Sequence, residues 1–172
     1  MIPNPYLRMA QNNAWANATL FAAIAGLDAE AFAAPRPGFF PSLAATLNHI
    51  HAVDLYYLDA LEAVGRGRSV YESAEITQVA VLARAQADLD RRFIAICAGL
   101  NEARLSQPRQ TERRDGMVHE QVGALILHLV QHQIHHRGQA HTMVWDAGIA
   151  PPQLDDFHLE YGRVPSAKAY FG

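Results

Sequence analysis

The sequence predicts an all-α fold, a bundle of long helices, on three observations. Four long segments place apolar residues at helical spacing, with charged or polar residues between them. Proline and glycine clusters separate those segments. Each apolar stripe needs partner helices to cover it, and four stripes in one chain cover one another best as a helical bundle.

The first helix is expected over Pro5 to Leu27. This stretch is alanine-rich and carries Leu7, Ala10, Ala14, Leu20 or Phe21, and Ile24 near one face, with Gly26 close to its end. The stretch "AFAAPRPGFF" then reads as a connection. A second helix starts at "PSLAATLNHI", where proline and serine suit a helix start, and stops at Gly65 and Gly67. The third runs from about Ile76 to Leu100 on Val79, Leu82, Ala83, Leu89, Phe93, Ile96 and Leu100. Residues 101–117 are polar and broken by Pro108, and Asp115-Gly116 is suited to close a short hairpin between "QTERR" and "MVH". The fourth long helix spans about Glu120 to Ala147 and ends at Gly148, before Pro151 and Pro152. The tail around "LDDFHLEYG" has room for a short C-terminal helix of a turn or two.

Composition narrows the function classes. At 172 residues, 50% hydrophobic and 18% charged, the chain suits one globular domain over 1–172. A net charge of -3 gives no reason to expect nucleic-acid binding, and Arg91, Arg92, Arg113 and Arg114 read as solvated charges balanced by acids. No run approaches the roughly 18 apolar residues of a membrane span, and the first residues lack a basic segment followed by an apolar one. A cytoplasmic setting without a membrane partner follows as the expectation. Cys97, the single cysteine, sits in "RRFIAICAGL" and reads as a small buried hydrophobe. Neither a phosphate-binding glycine loop nor a "GxSxG" nucleophile appears.

The chemistry concentrates in "LVQHQIHHRGQAH", Leu129 to His141, which holds four of the nine histidines. On a helix, His132 and His136 lie one turn and about 6 Å apart on nearly one face, so both rings can point at one ion. Their stripe continues through Leu125, His128 or Leu129, Gln139 and Met143, which turns it largely toward the core. A metal site needs a third ligand, and the second helix offers His49 and His51. Periodicity does not choose between them, and an HxxxH pair alone does not separate a metal face from a histidine-rich surface.

"TLNHIHAVD" together with "HLVQHQIHHRGQAHTMVWDAG" resembles the DinB-like (DinB/YfiT-like) family of damage-inducible bacterial proteins. "NNAWAN", "FFPSLAATLNHI" and "PPQLDDF" extend the likeness over nearly the full length. The resemblance implies an antiparallel four-helix bundle in up-down-down-up order, commonly a homodimer. It also implies a divalent metal, zinc or nickel, held by one histidine of the second helix and an HxxxH pair of the last long one. Aligned residue by residue, these are His49, His132 and His136, with His51 as the reserve ligand. Relatives include thiol-dependent transferases and hydrolases acting on small molecules, so a metal-dependent enzyme of one of those kinds is expected. The alternative is a non-catalytic stress-response protein with a structural metal and a dimer interaction surface.

Around those ligands, His128 one turn before His132 suits a pocket acid or base, whereas His135 and His141 suit the surface or an interface. Gln139 is placed to orient a ligating ring. Gly138 reads as a point of close helix approach, Asp54 as a salt-bridge or capping residue, and Trp15 as core.

Overall fold

The computed structural model describes residues 4–171, which are mostly helical with one two-stranded antiparallel sheet. Four long helices form its frame: α1 (Pro5–Ala23), α3 (Leu43–Glu62), α4 (Val79–Ala98) and α6 (Val122–Asp146). Two short helices, α2 (Ala29–Ala33) and α5 (Glu102–Leu105), and two 3-10 segments, Gly67–Glu72 and Pro165–Tyr170, occupy the connections.

Local chemistry sets the helix boundaries. Asn4 caps α1 by accepting from the backbone N–H groups of Tyr6 and Leu7 at 3.0 and 3.2 Å, and Pro5 follows where no N–H is needed. The Asn4 amide also donates to Cys97 O at 2.8 Å, tying the start of α1 to the end of α4. Ser42 caps α3 through Ala45 N–H at 3.1 Å. That helix stops at Ala63, in the left-handed region at φ 57°, earlier than the glycines Gly65 and Gly67 that the sequence marks. Its first helical turn past the cap is replaced by a loop in which Arg66 and Gly67 N–H groups donate to the Asp59 carboxylate at 3.1 and 3.0 Å.

The hairpin is present, but one residue out of the expected register. β1 (Pro108–Arg113) pairs with β2 (Gly116–Gln121), Arg113 opposite Gly116, so Arg114 and Asp115 form the turn. Gly116 opens the second strand at φ 125°, a backbone conformation that glycine adopts without strain. β2 runs directly into α6. The tail corrects a second expectation: "LDDFHLEYG" is bends and turns, and the short helix is the 3-10 segment from Pro165.

α1 packs on α4 and α6, and α3 packs on the same two helices. Bonded pairs give their directions. Asn48 meets Ile76, Asp54 meets Gln86 and Glu62 meets Arg92, so α3 and α4 run the same way. Thr46 meets Met143 and His49 meets His132, so α3 and α6 run oppositely. One apolar cluster, with Tyr56, Leu58, Phe93, Leu125 and Leu129, fills one end, and a second, with Leu20, Phe32, Leu43, Leu82 and Met143, fills the other. Trp15, 1% exposed, packs on Phe157 under the tail and donates its ring N–H to Ser166 Oγ at 3.1 Å. Among the described residues no helix is long and apolar enough to cross a membrane.

Candidate metal centre

Between the two apolar clusters, α3 and α6 present three imidazoles to one point. His49, His132 and His136 each offer a ring nitrogen, and the three atoms lie within 4.8 Å of one another. His49 Nε2 and His132 Nε2 are 3.0 Å apart. Two ligands on a tetrahedral zinc ion would be separated by about 3.3 Å, from metal–nitrogen bonds of about 2.0–2.1 Å. The antiparallel run of α3 against α6 makes this convergence possible. Residue 49 meets the middle of α6, and the i, i+4 spacing of His132 and His136 sets their rings edge-on with centroids 4.4 Å apart.

Burial favours the neutral form of all three rings. Burial lowers the pKa of His49, and the neighbouring His136 adds to the effect. Burial, joined by three nearby histidines and His135, lowers His132 to about 3. Burial also lowers His136, against a contrary pull from its hydrogen bond to Gln139. Neutral imidazoles carry the lone pairs that bind metal. His136 Nδ1 lies 2.8 Å from Gln139 Oε1. An amide oxygen only accepts, so the proton sits on Nδ1 and the Nε2 lone pair is left for an ion. His132 Nδ1 is buried without a partner, and no carboxylate bonds any of the three rings among the described residues. Three imidazole nitrogens, two of them 3.0 Å apart, are placed to bind a metal ion.

The other histidines separate by position. His51 is half-buried and lines a cavity of about 310 Å³ that His49 also lines, outside the convergent group. His128 is exposed at the rim, its ring 6.1 Å from that of His132 and 5.0 Å from that of Tyr57. His135 is exposed and within hydrogen-bond distance of the Gln139 amide. His141 is half-buried, 2.9 Å from Pro152 O, and so holds the segment after α6.

Several residues around the site were not marked by the sequence. The Phe40 ring lies 4.5 Å from that of His49 and 5.5 Å from that of His136, with Phe39 set edge-on against it. Arg113, expected as a solvated charge, donates to Tyr57 OH at 3.0 Å and Glu120 at 2.5 Å, and so ties the hairpin to the tyrosine beside His128. Gly138 is not a point of close approach, since a Cβ there would meet nothing within 4 Å.

The larger correction concerns the core. One residue along α6 from two of the histidines, Gln133 and Arg137 turn inward at 0% and 5% exposure. Arg137 Nη1 donates to Asn13 Oδ1 at 2.7 Å, Asn17 Oδ1 at 2.9 Å and Gln133 Oε1 at 3.3 Å. Both asparagines donate to Asp90, and Gln86 donates to Asp90 at 3.3 Å and to Asp54 at 2.6 Å. Gln133 also donates to Asp54. Among the described residues Asp54 therefore forms no salt bridge or cap; it belongs to a buried network drawn from all four long helices. Burial pushes its carboxyl well above the ordinary range, with the Asp90 charge adding to the effect. Burial raises Asp90 to about 6 and lowers Arg137 to about 10. Asp54 Oδ1 and Gln86 Oε1 are buried acceptors without partners, and a proton on Asp54 would turn one of those acceptors into a donor.

With this geometry in place, the likeness to known proteins takes on meaning. A sequence model of the DinB family matches residues 1–165. Protein DinB of Bacillus subtilis (strain 168) is 24% identical over 155 residues, covering 86% of this chain and 89% of that protein. A crystal structure of a DinB-like protein from Bacillus cereus ATCC 10987 superimposes with a TM-score of 0.68 at 16% identity, covering 86% of this chain and 94% of that one. Matched by the family's sequence model over nearly its whole length, the chain belongs to the DinB family.

Proposed function

We propose that His49, His132 and His136 bind one divalent ion, zinc or nickel, and that the protein is a metal-dependent transferase, thiol-dependent in one form, or a hydrolase acting on a small molecule. The observation that carries this reading is the convergence of three neutral imidazoles from two helices, with ligand atoms within 4.8 Å. A bound ion would supply Lewis acidity, polarising a carbonyl or favouring the deprotonated form of a water or thiol.

The chain's own groups do the remaining work. Gln139 fixes the His136 tautomer through Nδ1. Phe40 shields the His49 and His136 rings from water on one side. On the other side, His128 at the exposed rim takes or gives a proton next to Tyr57, whose hydroxyl is held by Arg113. The parallel run of α3 and α4 and the antiparallel run of α3 and α6 support an up-down-down-up four-helix bundle in one domain as the scaffold. A homodimer and a cytoplasmic setting, with Cys97 buried as a free thiol, belong to the same reading.

The test is a screen of thiol-transfer and hydrolysis substrates with protein loaded separately with zinc and nickel. Turnover that needs the ion and is lost in His132→Ala supports the proposal. Full metal occupancy with no turnover in either panel would instead make the ion structural.

A further inference from the structure

We propose a second binding site, for the carboxylate or phosphate group of a small organic anion, in the cleft where α6 faces the start of α1 and the segment after α6. The inference is independent of the metal. The cleft holds about 590 Å³ and is lined by Arg137 and Gly138 of α6 together with Asn12 of α1.

Arg137 carries the argument. Arg137 is 5% exposed, and Nη1 alone serves the internal network, with three acceptors between 2.7 and 3.3 Å. Among the described residues neither Nε nor Nη2 has a partner, and neither belongs to the buried unpaired atoms. Those two nitrogens form the edge of a guanidinium that matches two oxygens of a carboxylate or phosphate. A buried arginine whose paired edge faces inward and whose free edge lines a cleft is preorganised for such a group, since its side chain loses no further freedom on binding.

The rest of the cleft suits the same ligand. Asn12, 9% exposed, also lines the cleft from α1. Met9, Ile134 and Leu154 give apolar wall for an organic body. A Cβ on Gly138 would meet nothing within 4 Å, so open space rather than a packed helix lies over that turn. Asp155 stands on the rim, exposed, with its carboxylate engaged by the Gln153 amide. Exposure lets solvent ions screen its repulsion.

The experiment is a titration of the full chain with benzoate, phenyl phosphate and neutral benzyl alcohol, following the Arg137 Nε–H and Gly138 amide signals by NMR. The proposal expects saturable shifts with benzoate or phenyl phosphate, the two arms showing which oxyanion fits, and binding weaker by about tenfold or more for benzyl alcohol. Gly138→Leu leaves the buried network intact and fills the cleft, so it should weaken anion binding by about tenfold or more. His132→Ala should keep the shifts. The proposal is overturned if neither anion moves Arg137, if benzyl alcohol binds equally, or if Gly138→Leu binds as the parent does. Loss of binding in His132→Ala would place the anion at the histidines and overturn it equally.

Discussion

Asp90→Asn offers a test of the buried polar network. Burial raises the Asp90 carboxyl from 3.8 to about 6 in the folded protein. An acid with a raised folded-state pKa binds its proton more tightly when folded. Its stabilising contribution is therefore complete below 3.8 and lost as the pH rises through about 6. The rise corresponds to about 3 kcal/mol. Asparagine cannot ionise, so its stability lacks this loss. The attraction between ionised Asp90 and buried Arg137 is already contained in that value of about 6. Urea unfolding of both proteins with chelator present, at about pH 4, 5, 6 and 7, gives the difference between them at each pH. That difference should move in favour of the variant by about 2.4 kcal/mol between pH 4 and pH 7, because part of the loss already lies below pH 4. A flat difference would refute the raised pKa. A difference moving the opposite way would show that the Arg137 charge dominates over burial and holds the carboxylate low.

Three further outcomes follow from single contacts. Gln139→Leu removes the acceptor of the His136 Nδ1 proton and should lower metal affinity by about 10–100-fold, measured by competition with a chelating dye. Ser42→Ala removes the cap of α3 and should cost about 1 kcal/mol in urea unfolding, whereas an unchanged midpoint would deny the cap any role. Burial pushes the Cys97 thiol up to about 12, so a thiol reagent at mildly alkaline pH should label the native protein far more slowly than the urea-unfolded one.

The long helices were legible because their signals are local. Ser42 and Pro41 mark the start of α3, and apolar spacing, with Gly148 and the prolines after it, places α4 and α6 within a few residues of their observed ends. Errors arose where a nonlocal partner decides the outcome. α3 stops at Ala63 because the following loop turns back to the Asp59 carboxylate, a contact that Gly65 and Gly67 permit but do not announce. In the hairpin, the turn falls on Arg114 and Asp115 and leaves Gly116 in the strand, a difference of one residue that the Asp-Gly dipeptide cannot resolve. The spacing of His132 and His136 showed a shared face, but choosing His49 over His51 needed the likeness to relatives. The two positions lie about 200° apart around α3, and only the packing against α6 says which side is inward. The buried network was illegible for a different reason. Periodicity counts apolar residues as inward and gives no reason to place Gln133 and Arg137 in the core, and it leaves Asp54 as a salt-bridge or capping residue. Their burial depends on each finding amides and opposite charge on three other helices.

The most direct test of the central claim is metal stoichiometry and affinity for the parent protein and for His49→Ala, His132→Ala and His136→Ala, read by elemental analysis and calorimetry with circular dichroism to check folding. One divalent ion per chain is expected in the parent and a large loss of affinity in each folded variant, with His51→Ala binding as the parent does. Parent-like occupancy and affinity in all three variants, or loss in His51→Ala instead of His49→Ala, would contradict it.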